Sequence, residues 1–332
     1  MRQKLVILTT NFGTNFSGGA LATCEVFSRI QNQFTQITVL GSAIGDHTFT
    51  NLKFIKVTSW FQTYLTIKKL EDKATIFYGD FYNAFLLGLA KVPFVFTYHD
   101  NWPELSKLNI ASRIQGLFFT NIYAFVFRKA TVLITVSDFK KKLLEKYSSN
   151  VLLVPNGFNR IKATAAKNTI EKSQILMVGN IDERKYKLAL KLFGAISHLE
   201  DIGIDIYGHV VDEKLVMKLE KFPFVNLKGF HKKIPFSSYK LLLHTSFTES
   251  FGLIFCEAIF NEIPVLAFDA GGASTIITPD NGRLVPAYDI GEMQKMLESL
   301  MSDPISVDSN TVKTFSWETT SLRYQKIFQD VD

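Results

Sequence analysis

Two glutamates eight positions apart, Glu249 and Glu257, carry the chemistry most worth explaining in this chain. They stand in Ser246-Phe247-Thr248-Glu249-Ser250-Phe251-Gly252-Leu253-Ile254-Phe255-Cys256-Glu257-Ala258-Ile259-Phe260, which reads as a strand end, a polar turn, a glycine and a helix. The helix is apolar on every side except at Glu257. Burying an ionised carboxylate costs several kcal/mol unless it is paired or hydrogen-bonded, so Glu257 is expected to have a dedicated partner. Two acids about two helical turns apart, with a helix N-terminus between them, make a place where an anion and hydroxyl groups are received together. The plainer alternative is a capped helix start followed by one glutamate at the rim of the core.

Three other positions combine reactive side chains with turn signals. Gly179-Asn180-Ile181-Asp182-Glu183-Arg184-Lys185 opens a helix. Acids suit that end, whereas Arg184 and Lys185 oppose the helix dipole unless an anion sits between them; a diphosphate would resolve the conflict, and side chains reaching out into water are the alternative. His99 and Asp100 follow the strand-like Phe94-Val95-Phe96-Thr97-Tyr98. Asp100 is also readable as the start of the next helical turn and His99 as a structural histidine. Gly18-Gly19 precedes a helix, where glycine lets a ligand approach the backbone; its spacing is not a dinucleotide fingerprint, and a tight turn explains it equally well.

The elements that position these residues alternate. Apolar strand-like runs are expected at Lys4–Thr9, Gln36–Leu40, Asn51–Val57, Ala74–Tyr78, Pro93–Tyr98, Thr131–Val136 and Val151–Val154. A second set is expected at Gln174–Val178, Ile202–Tyr207, Val225–Leu227, Leu241–Thr245, Pro264–Phe268 and Arg283–Val285, with helical segments between most of them. Such alternation predicts parallel sheets covered by helices, in which ligands bind beyond the carboxyl ends of the strands. The first domain is read as 1–157, ending at the Asn156-Gly157 turn, with a polar linker over Arg160–Ser173. The second is read as 158–308, and 309–332 as a terminal segment whose helix starts at Ser316-Trp317 with Ser316 as N-cap and runs to about Gln329.

The 332 residues are 47% hydrophobic and 20% charged, a globular composition with length for two domains. Apolar runs such as Phe85 to Phe96 and Gly116 to Phe127 are interrupted and fall short of the roughly 18–20 residues that span a bilayer, so no spanning helix is expected. The N-terminus lacks the pattern of a signal peptide. Cys24 and Cys256 sit in apolar helical surroundings and read as reduced packing residues, which points to a cytoplasmic protein. Residues 1–157 carry 17 Lys and Arg against 9 Asp and Glu, and residues 158–332 carry 20 against 22. The first half therefore suits an acidic partner or an anionic lipid surface, or simply has more surface lysines; nucleic acid has only this charge in its favour. The amphipathic stretches Ser59–Leu70 and Leu105–Lys129 are read as core-packed, with contact at a membrane surface as the alternative. Asp138–Tyr147, with Lys140-Lys141-Lys142, is read as a solvated helix face.

Together these residues resemble the retaining glycosyltransferases of the GT-B fold, in particular the GT4-type group with its Glu-x7-Glu motif. The matching pieces are Glu249 to Glu257 with Phe251-Gly252-Leu253, Ile263-Pro264-Val265 followed by Gly271-Gly272, Asn281-Gly282-Arg283-Leu284-Val285, Val154-Pro155-Asn156-Gly157, and Ser316-Trp317. The resemblance implies two Rossmann-like domains facing across a central cleft, with the C-terminal helix returning to the first. It implies a nucleotide-sugar donor on the second domain and a glycan or lipid-linked acceptor on the first. By the same resemblance Glu257 binds the ribose hydroxyls, Glu249 lies against the donor sugar, and Phe251, Gly252 and Leu253 receive the diphosphate. Lys185 matches the lysine that neutralises the leaving group, and His99 matches a histidine near the donor sugar. Gly179, Arg184, Asn180, Gly18 and Gly19 complete the donor-binding candidates.

Two positions depart from the pattern: Asn180 replaces an arginine, for which Arg184 is a substitute, and Thr275 replaces a glutamate. The mechanism implied is front-face transfer with no protein nucleophile, no cofactor and no metal; the sole Asp-x-Asp, Asp330-Val331-Asp332, is at the chain end. The implied setting is bacterial surface-polysaccharide synthesis, in the cytoplasm or on the inner face of the membrane. A non-catalytic transferase-like subunit and a nucleotide-sugar epimerase on the same fold are the alternatives.

Overall fold

The computed structural model describes residues 3–162, 175–199 and 202–331. Most of the expected linker, residues 163–173, lies outside the described residues, as do Gln174 and Asp332. The chain divides into two compact units, Met1–Gly157 with Phe315–Asp332, and Phe158–Thr314.

In the first unit seven parallel strands form one sheet in the order Leu52–Lys56, Phe34–Gly41, Gln3–Leu8, Thr75–Gly79, Phe94–Tyr98, Val132–Thr135, Val151–Leu153. Strands such as Phe94–Tyr98 are buried at every residue, which is why they read as unbroken apolar runs instead of alternating ones. The second unit repeats the plan with six parallel strands: Val225–Gly229, Ile204–Tyr207, Ile175–Val178, Leu241–His244, Val265–Asp269, Gly282–Pro286. In both sheets the first strand of the unit lies between the second and the fourth. The direction of winding reverses there, and doubly wound sheets bind their ligands at such a point.

The C-terminal helix, Trp317–Asp330, packs on helix Gly18–Ile30 of the first unit, where Phe27 meets Tyr324 and Phe328 edge-on at 6.0 and 5.5 Å. Ser316 caps it by accepting from the Thr319 amide at 3.1 Å. The tight segment at Gly157 has a packing reason: a Cβ there would lie 2.1 Å from the Trp317 nitrogen, and Thr320 Oγ1 donates to the Pro155 carbonyl at 2.9 Å. Pro155-Asn156-Gly157 and Ser316-Trp317, far apart in sequence, are one structural feature.

One expectation is corrected here. Lys140 is not solvated; it is fully buried, pairs with Glu104 at 2.6 Å and lies 5.2 Å from the Tyr98 ring centroid. The amphipathic stretch expected at Leu105–Lys129 forms a continuous 20-residue helix, Ile110–Lys129, long and apolar enough to cross a membrane by length and composition alone. Its Tyr123, Val126 and Phe127 are nevertheless buried in the core of the first unit.

Candidate functional site

The switch point of the second sheet collects four charged or titratable side chains. Strand Ile175–Val178 runs into Gly179, whose φ of +139° and bare α-carbon are both used: a Cβ there would fall 2.0 Å from Lys185 Nζ. Asp182 caps the following helix, Glu183–Ala195, by accepting from the Lys185 amide at 3.0 Å. This turns Lys185 back over the strand end, where Thr245 donates to its carbonyl at 2.7 Å. The neighbouring strand Leu241–His244 runs into the loop that carries Glu249.

Arg184 reaches across that loop, donating to Thr248 O at 3.3 Å and Ser246 Oγ at 3.4 Å, and lies 3.8 Å from the Glu249 carboxylate. It is not held out in water; the anion between the two basic residues is, in the first instance, Glu249 itself. His244, 4% exposed, brings Nε2 to 3.5 Å from the same carboxylate and stands edge-on to Phe255 at 4.9 Å. Burial works against an ionised Glu249, but His244, Arg184 and Lys185 outweigh it and hold the carboxyl at about 2. Burial, reinforced by Arg184, pulls Lys185 down, and burial likewise lowers His244.

The Glu249 backbone is gripped by the next strand's exit loop: Gly272 N donates to its carbonyl at 2.7 Å, and a Cβ on Gly271 would lie 2.0 Å from that oxygen. Gly271-Gly272 thus fixes the loop bearing Glu249. Thr275 ends the short turn Ala273–Thr275 beyond it.

Glu257 is a different case. Helix Leu253–Phe260 begins after Gly252, which has φ of +97° and no room for a Cβ, since one would lie 2.4 Å from the Phe255 ring. Phe251 is buried beside it. The Glu257 carboxyl has no hydrogen-bond or ion-pair partner among the described residues. Instead it lines a cavity of about 260 Å³ with Asn159, Lys162, Lys232, Lys233 and Phe236. Burial alone raises it to about 7. Asn180 is exposed at the strand exit.

In the first unit, His99 leaves strand Phe94–Tyr98 and meets Gly19, where a Cβ would come within 3.2 Å of its own. Ser17 caps the helix that Gly18 opens, accepting from Ala20 N at 3.2 Å. Burial lowers His99 to about 4, so it is neutral. Asp100 is no mere helix start, since it accepts from Tyr123 OH at 2.6 Å. It lines a cavity of about 350 Å³ with Asn11, Phe81, Tyr82, Trp102 and Phe119. Asp80, fully buried at the exit of strand Thr75–Gly79, accepts from Thr23 Oγ1 at 2.7 Å and is raised by burial to about 7.

The structure therefore brings Glu249, Arg184, Lys185 and Gly179 together, sets Glu257 on a separate cavity of the same unit, and joins His99 to Gly19. Sequence reasoning missed His244 and Asp80. Both stand at strand exits, the signal that singled out His99.

Comparison with known proteins gives this arrangement its class. Residues 160–314 match the model for "Glycosyl transferases group 1" and residues 26–160 the model for "Glycosyltransferase Family 4". Among solved structures, sucrose-phosphate synthase from Thermosynechococcus elongatus superposes with a TM-score of 0.79 over 99% of both chains at 15% identity. Anabaena HepE in complex with UDP-glucose does so with 0.75 over 99% of this chain and all of that one, at 16% identity. The chain belongs to the GT4-type group of GT-B glycosyltransferases. Curated relatives include the GtfA subunit of a UDP-N-acetylglucosamine–peptide N-acetylglucosaminyltransferase of Streptococcus parasanguinis, 27% identical over 51% of this chain and 37% of that protein. Poly(glycerol-phosphate) α-glucosyltransferase of Bacillus subtilis is 30% identical over 41% and 24%. The matched region thus spans a quarter to two-fifths of the length of these relatives.

Proposed function

We propose that this chain is a retaining, metal-independent glycosyltransferase. It moves a sugar from a nucleotide-diphosphate donor to a glycan or lipid-linked acceptor, at the cytoplasmic face of a bacterial membrane, in surface-polysaccharide synthesis. The observation that carries the reading is the Glu257 carboxyl, half-buried on the wall of an open cavity with no hydrogen-bond or ion-pair partner among the described residues. A group in that state needs donors from a ligand, and the vicinal hydroxyls of a ribose supply two. HepE, similar in fold, binds UDP-glucose, which supports a nucleotide-sugar donor.

Gly252 and the N-terminus of helix Leu253–Phe260 then receive the diphosphate on free backbone N–H groups, with Lys185 and Arg184 supplying positive charge as the leaving group develops its own. Asn180 contributes a neutral donor there. Glu249, kept ionised by its three neighbours, accepts from hydroxyls of the donor sugar and fixes its orientation. The acceptor hydroxyl attacks the anomeric carbon on the face from which the phosphate leaves: the new C–O bond forms as the C–O(phosphate) bond breaks, and the hydroxyl proton passes to the departing phosphate oxygen. Two relatives are named as α-glucosyl- and α-mannosyltransferases, and α-linked products from α-linked nucleotide hexoses are what retention yields. In the first unit we assign neutral His99, with Gly18 and Gly19 beside it, to binding a sugar.

The test is a panel of nucleotide sugars scored by melting temperature and by nucleotide release. One donor is expected to stabilise the protein by mass action and to be turned over. If none binds, or if a bound donor is isomerised without acceptor, the reading fails.

A further inference from the structure

The outer side of helix Ile110–Lys129 is built for something the folded chain does not supply. Ile110, Ile114, Leu117 and Phe118 are 78%, 66%, 69% and 50% exposed. Their spacing of 4, 3 and 1 residues places them on one stripe of the helix, while Gly116, Tyr123, Val126 and Phe127 form a second stripe that is buried. Neighbouring helices extend the surface. Helix Phe85–Ala90 packs against Ile110–Lys129 at Gly88, where a Cβ would meet Phe125, and exposes Leu89. Phe85 meets Trp60 edge-on at 5.0 Å, and helix Trp60–Leu70 exposes Trp60, Phe61 and Leu65. Large apolar patches on a soluble surface mark interaction sites.

The charges around the patch choose the occupant. Lys68, Lys69, Lys73, Lys91, Lys107, Arg113, Arg128 and Lys129 are all exposed on these helices and the loops that join them. The exposed acids over the same residues 60–129 are Glu71 and Asp72, each already paired with a lysine. A second copy of this chain would bring two such basic surfaces together, whereas an anionic bilayer neutralises one and receives its Trp, Phe and Leu side chains.

We infer that this face docks on an anionic lipid bilayer, with helix Ile110–Lys129 lying in the interface. The helix lies and does not span. Crossing would tear out Tyr123, bonded to Asp100 at 2.6 Å, and unstack Phe119 from Trp102, 5.0 Å apart. Phe119 also lines the roughly 350 Å³ cavity with Trp102, Tyr82 and Asp100, so one helix presents its outer side to lipid and its inner side to that cavity. Assigning the cavity to the sugar of a lipid-anchored acceptor rests on the transferase reading; the lipid-binding face does not.

The experiment is co-sedimentation of the full chain, without donor, with vesicles of phosphatidylcholine alone and of phosphatidylcholine mixed equally with phosphatidylglycerol. The wild type is expected to pellet with the mixed vesicles, less at high salt and less with phosphatidylcholine alone. The triple variant Ile114→Ser, Leu117→Ser, Phe118→Ser changes only outward or half-outward side chains and should partition at least about tenfold less; Lys107→Gln with Arg113→Gln should weaken the preference for phosphatidylglycerol. Wild type that stays in the supernatant, or a triple variant that binds like wild type, overturns the inference. So does a wild-type dimer that the triple variant turns into a monomer, which would make the face an interface between copies. Nucleotide-sugar thermal shifts on the same samples separate the two readings: an unchanged shift shows the variant is folded, and vesicle binding with no shift from any donor would sink the transferase reading alone.

Discussion

Glu249 and Glu257 are the same side chain on the same loop and helix, and the structure drives them in opposite directions. Glu249 is surrounded by Arg184, Lys185 and His244 and is held at about 2; Glu257 is half-buried on a cavity that Lys162, Lys232 and Lys233 also line, is paired with none of the described residues, and is raised by desolvation to about 7. The described residues complete one carboxylate and leave the other, in the reading proposed above, to a ligand. Burial alone does not decide the state of an acid; the pairing available at its depth does. The same contrast separates the two sheets. Both have first and fourth strands side by side, yet the second unit sets an ion cluster at that point, and the first sets Asp80, hydrogen-bonded to Thr23 but raised by burial to about 7, near an aromatic cavity. Fold repeats; chemistry is written in the strand exits.

The sharpest way to break the comparison is to remove the completed carboxylate. Glu249→Ala leaves Arg184, Lys185 and His244 facing one another and removes the group assigned to the donor sugar, so turnover should fall by roughly 10²–10³-fold in kcat. A donor thermal shift that survives would show that binding is spared. Lys185→Ala should follow at about 10²-fold, again in kcat, because its charge is assigned to the leaving diphosphate. If either variant changes only KM, the cluster holds substrate and does not act on the reaction.

Glu257→Gln should behave differently. Donor affinity is expected to fall about tenfold with little change in kcat, as for uniform binding. Stability should move the other way. The folded pKa lies above the ordinary value near 4.5, so between pH 4.5 and 7 the unfolded chain releases a proton that the folded chain retains, and stability falls as pH rises across that window. Glu257→Gln removes the fall and should leave the apo protein about 1–3 kcal/mol more stable than wild type at pH 8. For Glu249 the sign reverses: its contribution is present above about 4.5 and lost as pH drops toward 2. Denaturant melts of the wild type and both variants across pH read both slopes. If ionised Glu257 receives the ribose hydroxyls as proposed, donor binding should tighten as pH rises through about 7.

Much of this was legible in the residues. Central strands such as Phe94–Tyr98 and Leu241–His244 read as apolar runs because parallel strands are buried on both sides there, and Glu257 stood out because its neighbours in Leu-Ile-Phe-Cys-Glu-Ala-Ile-Phe are apolar. What could not be read was contact between elements distant in sequence. Gly271 looks like an ordinary turn glycine until the Glu249 carbonyl is found against it. Lys140, the first of three consecutive lysines, gives no sign that Glu104 and Tyr98 wait for it beneath the surface. The neighbours of Glu257 call for a partner, but residue types alone offer no means of telling a ligand's donor from the protein's. Helix Ile110–Lys129 shows why periodicity is ambiguous when two apolar stripes share a helix: the pattern marks both faces and does not say which is inside.

The smallest expected effect falls on His244, which tests whether the state of Glu249 is set by its neighbours or by depth. His244 ends a strand of three leucines, so His244→Leu suits the site sterically while removing one of three groups that stabilise the Glu249 carboxylate. Arg184 and Lys185 remain, so Glu249 should stay ionised at pH 7 and kcat there should drop only a few-fold. Its pKa should nevertheless rise from about 2, carrying the acid limb of the kcat profile upward, because burial still favours the neutral form and less now opposes it. His244→Gln, which retains a side-chain donor, should return the limb most of the way. A variant whose activity falls equally at every pH would mean that His244 only fills space beside Phe255; a shifted limb, rescued by glutamine, would mean that it positions and charges the carboxylate on which the comparison with Glu257 turns.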